Sequence, residues 1–332
     1  MIYSIQYLRA VAAIMVLIQH VATKGSQYSV GPWDGFVIGG SGVDLFFVIS
    51  GFIMCQATEG RNISPRAFMI ARIRRVIPLY WLLTTVALVV YLVSPGMVNR
   101  SGGQTSIWAS YLLWPNGDKY LINNGWTLSY EFVFYGIFCA ALLVSEGRRA
   151  TLVVSVIVAL VMLGAALRPS LFPLAFFLSP IMLEFCGGIL AYKIYRANWL
   201  SAGHGIALLL GAIALLSAIN IVRFDGYPSR YFYYGIPSVM IVMGMLALEP
   251  FFSSRPSKLF RLLGDSSYAL YLTHGFVLAA LGAALARFTG IPAEHPWTFC
   301  NILLLSSLVF GCIAYKWALL ETSLIRKAPE TA

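Results

Sequence analysis

Ile5-Gln6-Tyr7-Leu8-Arg9-Ala10-Val11-Ala12-Ala13-Ile14-Met15-Val16-Leu17-Ile18-Gln19-His20-Val21-Ala22 decides how this chain is read. Eighteen residues at about 1.5 Å per residue make a helix of roughly 27 Å, close to the hydrocarbon thickness of a bilayer. Two basic residues interrupt the apolar run. Arg9 and His20 stand eleven positions apart, which at about 100° per residue returns to within roughly 20° of the same direction, some 16 Å further along the axis. The segment could pass for a signal peptide, but no basic region precedes Arg9 and no small-x-small cleavage site follows. It reads as a first membrane helix.

The same texture continues through the chain. Of 332 residues 59% are hydrophobic and 11% charged, with a mean hydropathy of +0.78, whereas soluble domains run about 45–50% apolar and about 25% charged. A soluble enzyme on a single anchor is excluded, because no polar stretch is long enough for an aqueous domain. A β-barrel is excluded because the runs are continuously apolar rather than alternating. Ten candidate spans follow, at 5–22, 42–58, 77–95, 127–145, 150–167, 173–194, 203–221, 231–249, 266–287 and 299–321. Their breaks are Gly31-Pro32-Trp33-Asp34-Gly35, Ser94-Pro95-Gly96, Arg168-Pro169, Asp225-Gly226-Tyr227-Pro228 and Ser254-Arg255-Pro256. The expected fold is all-α, a polytopic bundle of about ten transmembrane helices, with residues 1–332 forming one integral-membrane domain and no appended soluble domain.

Lys and Arg divide fourteen to seven between alternate loops, which predicts cytoplasmic termini and an outside loop at 96–126. That asymmetry also accounts for the net charge of +10 without a nucleic-acid partner. Cys55, Cys139, Cys186, Cys300 and Cys312 lie in apolar runs without metal-ligand spacing, so no metal site is expected.

Ionisable groups inside apolar spans are functional candidates. Here they are Arg9, His20, Asp44, Glu131, Glu184 and His274. In the ten-span topology His20, Asp44 and Glu131 lie toward the outer surface. A carboxylate beside an imidazole would hold its tautomer and stabilise the imidazolium, although Asp44 also suits a helix N-cap and Glu131 a first helical turn. At the inner face Arg66, Arg72, Arg74 and Arg75 crowd the entrance to the third span. Such a cluster suits phosphate groups, although taken alone it is more often an ordinary positive-inside anchor. Pro78 follows at a position suited to a helix start, and Tyr80 and Trp81 look like interfacial aromatics. An interhelical hydrogen bond is the expected role of Glu184, next to Gly187-Gly188. Tyr271 can share a helix face with His274.

In order, the motifs are Leu8-Arg9-Ala10-Val11-Ala12-Ala13 through His20, Ser41-Gly42-Val43-Asp44-Leu45-Phe46-Phe47-Val48-Ile49-Ser50-Gly51-Phe52, and Arg72-Ile73-Arg74-Arg75-Val76-Ile77-Pro78-Leu79-Tyr80. Gly125-Trp126-Thr127-Leu128-Ser129-Tyr130-Glu131-Phe132, Ser267-Tyr268 through His274, and Glu321 follow. This set resembles the integral-membrane acyltransferase 3 family, and within it the exopolysaccharide O-acetyltransferase branch. The chain departs from the family pattern at Phe132, where many members have a second acidic residue, and at Thr322-Ser323, where many have a basic residue and proline.

The resemblance implies a bacterial inner-membrane enzyme that takes an acetyl group from cytoplasmic acetyl-CoA and places it on a hydroxyl of an extracytoplasmic polysaccharide or lipid-linked oligosaccharide. In that reading Arg72, Arg74 and Arg75, with Arg9, hold the donor phosphates. His20 acts as general base or transient acyl carrier, Asp44 or Glu131 orients its ring, and Tyr80, Trp126, Tyr271 and His274 line the cleft. Acetyl-CoA, the glycan and membrane lipid are the partners, with a homo-oligomer left open. The alternative is a proton-coupled transporter of a small polar solute, which buried Glu184 and His274 and Gly-interrupted spans would also suit.

Overall fold

A computed structural model describes residues 1–29, 31–33, 35–98, 103–222 and 230–327, with side chains through 318 apart from 293. Asp34, the break at 225–228 and the Glu321 side chain therefore lie outside the described residues. Every one of the ten segments is helical. In chain order they are α1 (Tyr3–Gln27), α2 (Ser41–Thr58), α3 (Pro65–Val93), α4 (Gly125–Ala141) and α5 (Glu146–Leu167). The second half comprises α6 (Leu183–Arg196), α7 (Ala202–Val222), α8 (Ile236–Ala247), α9 (Lys258–Phe288) and α10 (Pro296–Lys327). Among the described residues, eight helical segments are long and apolar enough to cross a membrane; the apolar helix at Tyr231–Ala247 is shorter, as is α4 at 17 residues.

Several boundaries move, each for a local reason. α3 begins twelve residues before the expected start at 77, because Ser64 Oγ accepts from Ala67 N at 3.2 Å and Pro65 occupies the first turn. Pro78 is thus inside the helix, where its missing N–H deprives the Arg74 carbonyl of an intrahelical donor. α9 likewise begins at Lys258, capped by Ser257 Oγ, which accepts from Phe260 N at 3.4 Å. The span expected at 173–194 is interrupted: a short helix (Phe172–Phe177) gives way to a 3₁₀ turn at Pro180–Met182 before α6. α8 is entered through a π turn at Tyr231–Gly235.

α1 lies within the bundle and packs against α2, α8, α9 and α10. Small residues allow the closest crossings. A Cβ on Gly264 of α9 would stand 2.9 Å from Gln6 Cγ of α1, and one on Gly188 of α6 would stand 2.8 Å from Phe52 N of α2. Phe134 and Phe185 stack at 4.3 Å in the adjoining aromatic core.

The 103–124 loop folds back against α3. Tyr80, expected at the interface and in the cleft, is instead fully buried at mid-helix, and its hydroxyl donates to Ser110 O at 2.7 Å. Trp81 Nε1 donates to Tyr111 O at 2.9 Å. The earlier start of α3 explains the change, since it moves Tyr80 from the first turn to the sixteenth of 29 positions.

The charge asymmetry predicts which side each connection faces. Reporter fusions after Arg149 and after Asp118 should report cytoplasmic and outside locations respectively, and the same side for both would refute the ten-span topology.

Candidate active site

Five helices enclose a cavity of about 90 Å³, room for a few waters or a thin unbranched chain. α1 contributes Arg9, α3 contributes Arg72 and Arg75, and α4 contributes Thr127, Glu131 and Tyr135. Phe46, Phe47 and Ser50 of α2 and Tyr268 and Tyr271 of α9 complete much of its wall. Arg74 is absent from the lining and exposed, because two residues along a helix turn a side chain by about 200°. Trp126 is also outside the lining; its ring packs on Phe47 and Tyr130 at 6.5 and 6.0 Å.

Glu131 belongs to this cavity and not to His20. Ser50 Oγ donates to its carboxylate at 3.2 Å, and the Tyr135 hydroxyl also donates to it. The carboxylate misses the first turn because α4 starts at Gly125, making it the seventh helical residue. Arg75, Asp265 and Glu131 all lie within electrostatic range of Arg9. Among the described residues, none of Arg9, Arg72 and Arg75 forms an ion pair, and Arg72 Nε is buried without a hydrogen-bond partner. Three guanidiniums against Glu131 and the nearby Asp265 still leave an excess of positive charge, which suits an anionic ligand with several oxygens.

At the other end the cavity stops at Tyr271, whose hydroxyl shares a hydrogen bond of 2.9 Å with Thr127 Oγ1. The Tyr271 ring meets Phe46 at 6.0 Å and His274 at 6.1 Å. Beyond it His20 faces His274, ring centroids 4.9 Å apart. α1 continues about two turns past His20, and His274 is the seventeenth of 31 residues in α9 rather than two turns into it. Neither Asp44 nor Glu131 orients the His20 ring. Its Nδ1 instead bonds to Val16 O at 2.9 Å. A carbonyl can only accept, so Nδ1 carries the hydrogen and Nε2 keeps its lone pair.

Asp44 is fully buried and gives both oxygens to Arg230, which donates through Nε at 3.1 Å and Nη2 at 2.6 Å. Arg230 Nη2 also donates to Gly40 O at 2.8 Å. Asp44 is therefore no N-cap: Gly40 fills that position. With 186 residues between the partners, no local signal in the sequence marks Arg230 as the partner of Asp44. The Glu184 carboxyl is buried against Gly235, within hydrogen-bond reach of Asp44 and near Arg230, so the interhelical contact expected of it is with α2 and requires one of the two carboxyls to carry its proton. No cluster of His, Cys, Asp and Glu suited to a metal occurs among the described residues.

Fold and site together define a multi-pass membrane protein in which a cationic cavity leads toward a pair of imidazoles. The model of the acyltransferase domain family matches residues 2–316, and the chain belongs to that family. It is 32% identical over 307 residues to the exopolysaccharide production protein ExoZ of Rhizobium meliloti (strain 1021), covering 88% of this chain and 91% of that protein. It is 26% identical over 314 residues to the peptidoglycan O-acetyltransferase OatA of Listeria monocytogenes serovar 1/2a (strain ATCC BAA-679 / EGD-e), covering 82% of this chain and 48% of the relative. No solved structure matches the chain. The protein is thus a membrane acyltransferase, and the transporter alternative is set aside.

Removing one member of a buried ion pair costs about 3–5 kcal/mol, whereas removing both costs much less. Asp44→Ala should therefore lower the thermal midpoint in detergent strongly, and Asp44→Ala with Arg230→Leu should recover much of it. A double variant no more stable than the single one would show that the pair is not what holds α2 to the entrance of α8.

Proposed function

We propose that the protein is an O-acetyltransferase of the bacterial inner membrane, moving an acetyl group from cytoplasmic acetyl-CoA to a hydroxyl of an extracytoplasmic polysaccharide or lipid-linked oligosaccharide. Residues 1–332 act as one integral-membrane domain. The observation that carries this reading is the excess of guanidinium charge in a narrow cavity pointing toward an imidazole with a bare Nε2. The relatives named for exopolysaccharide production and peptidoglycan O-acetylation support the same substrate class.

Arg9, Arg72 and Arg75 hold the donor phosphates, and Arg74 adds charge at the mouth. The thin pantetheine arm follows the cavity past Tyr268 toward Tyr271. His20 works in one of two ways: its Nε2 takes the proton of the acceptor hydroxyl as the oxygen attacks the thioester carbon, or it carries the acetyl group as an acyl-imidazole. In both, the C–S bond breaks and the thiolate leaves as thiol, so protons balance over the cycle. Asp44, through Arg230, and Glu131, through Ser50 and Tyr135, hold the helices that line the route.

Loss of a general base typically costs about 10²- to 10⁴-fold. His20→Ala should abolish transfer from labelled acetyl-CoA while the purified protein stays folded and monodisperse; retention of most activity would remove His20 from the chemistry.

A phosphate clamp remote from the thioester gives uniform binding, which raises KM and leaves kcat nearly unchanged. Charge-assisted hydrogen bonds are worth about 1.5–3 kcal/mol each. Arg72→Ala and Arg75→Ala should accordingly raise KM for acetyl-CoA about ten- to hundredfold, Arg74→Ala should do so less, and Lys should rescue Arg72 only in part because it lacks the planar fork. Unchanged KM in correctly inserted Arg72 and Arg75 variants would take the cluster out of the donor site.

A further inference from the structure

His274 is 1% exposed, and its Nε2 has no hydrogen-bond partner among the described residues. Buried polar atoms are seldom left this way, since an unmade hydrogen bond costs stability, and each instance calls for a physical reason. The ring is not free to turn and find a partner, because its Nδ1 is tied to Leu270 O at 3.1 Å. The neighbour across the interface repeats the arrangement, with His20 Nδ1 tied to Val16 O and the two ring centroids 4.9 Å apart at an interplanar angle of 60°.

Each Nδ1 carries its hydrogen to a carbonyl one helical turn back, so both Nε2 atoms present lone pairs. Two lone pairs cannot bond to each other. One added proton changes that, because an imidazolium N–H can donate to the neighbouring imidazole nitrogen. No carboxylate bonds to either ring among the described residues: Asp44 is committed to Arg230 and Glu131 to Ser50 and Tyr135. Tyr271, the other polar ring beside His274, has its hydroxyl bonded to Thr127.

We propose that His274 is a positioning residue for His20, its bare Nε2 being the second nitrogen of a unit that holds the proton withdrawn from the acceptor hydroxyl. This rests on the acyltransferase reading above. When His20 is the base, the hydroxyl O–H bond breaks, an N–H bond forms on His20, and His274 accepts a hydrogen bond from that imidazolium. The proton then passes to the departing thiolate, which leaves as thiol when the C–S bond breaks.

A structural role for His274 and this one differ in what an apolar replacement does. Replacing an orphaned polar atom by an apolar group of similar shape is neutral or stabilising. Full-length His274→Leu and His274→Phe, purified beside wild type and His20→Ala, should keep or raise the thermal midpoint and keep KM for acetyl-CoA within about twofold. Their kcat, measured with labelled acetyl-CoA and the envelope polysaccharide fraction as acceptor, should fall about hundredfold or more, the scale of lost proton transfer. His274→Gln, whose amide oxygen can accept, should regain part of that loss. The proposal is overturned by folded apolar variants with kcat within about threefold of wild type, by a Gln variant as impaired as Leu, or by failure of both apolar variants to fold, which would make His274 a packing residue. A wild-type protein that does not turn over acetyl-CoA would instead overturn the acyltransferase reading, so the two failures are distinct.

Discussion

The parallel contact between α1 and α9 sets every distance in the site. Gly264 lets the two backbones approach beside Gln6, and the Gln6 amide donates to Asp265 across the same contact. Arg9 then lies at the cationic end and His20 at the imidazole end of one helical face, some 16 Å apart by helical rise. α9 supplies the matching series Tyr268, Tyr271 and His274. With that pair fixed, α2, α3 and α4 need only close around it, and the cavity they enclose runs along the α1–α9 seam.

Charge is used in two different ways in this bundle, and pairing separates them. Asp44 and Arg230 satisfy each other and a backbone carbonyl. Such a pair ties the N-terminal end of α2 to the entrance of α8 and has little left to offer a ligand. Arg9, Arg72 and Arg75 have Glu131 in the cavity and Asp265 near Arg9, three cations against two carboxylates, and none of the three forms an ion pair among the described residues. Unbalanced charge in a low-dielectric interior is costly, and a multivalent anion offsets that cost when it enters. The cavity's charge excess is thus an argument for a ligand in a way that the buried ion pair is not.

Much of this was legible in the sequence. Uninterrupted apolar runs leave a helix as the only structure that satisfies its own backbone in hydrocarbon, so the ten segments could be read directly. The common face of Arg9 and His20 followed from helical periodicity alone. The starts of α3 and α9 did not, because basic residues after Ser64 and Ser257 look like a loop until each serine is seen to cap a helix. The partner of His20 was also hidden. Several ionisable residues reach a similar depth, and only the packing of α1 on α9 decides that His274 meets the ring. Arg230 was missed because nothing local distinguishes one arginine of a loop from another.

The absence of a carboxylate bonded to His20 follows from the same electrostatics. Glu131 lies within range of Arg9 and Arg72, and opposite charges attract more strongly in a medium of low dielectric constant. A carboxylate in that field is held toward the cations and away from a neutral ring. The imidazoles are left to backbone carbonyls, which fix both tautomers without adding negative charge. A neutral lone pair serves a base and a nucleophile equally, so the proposed chemistry at His20 needs no carboxylate bonded to the ring.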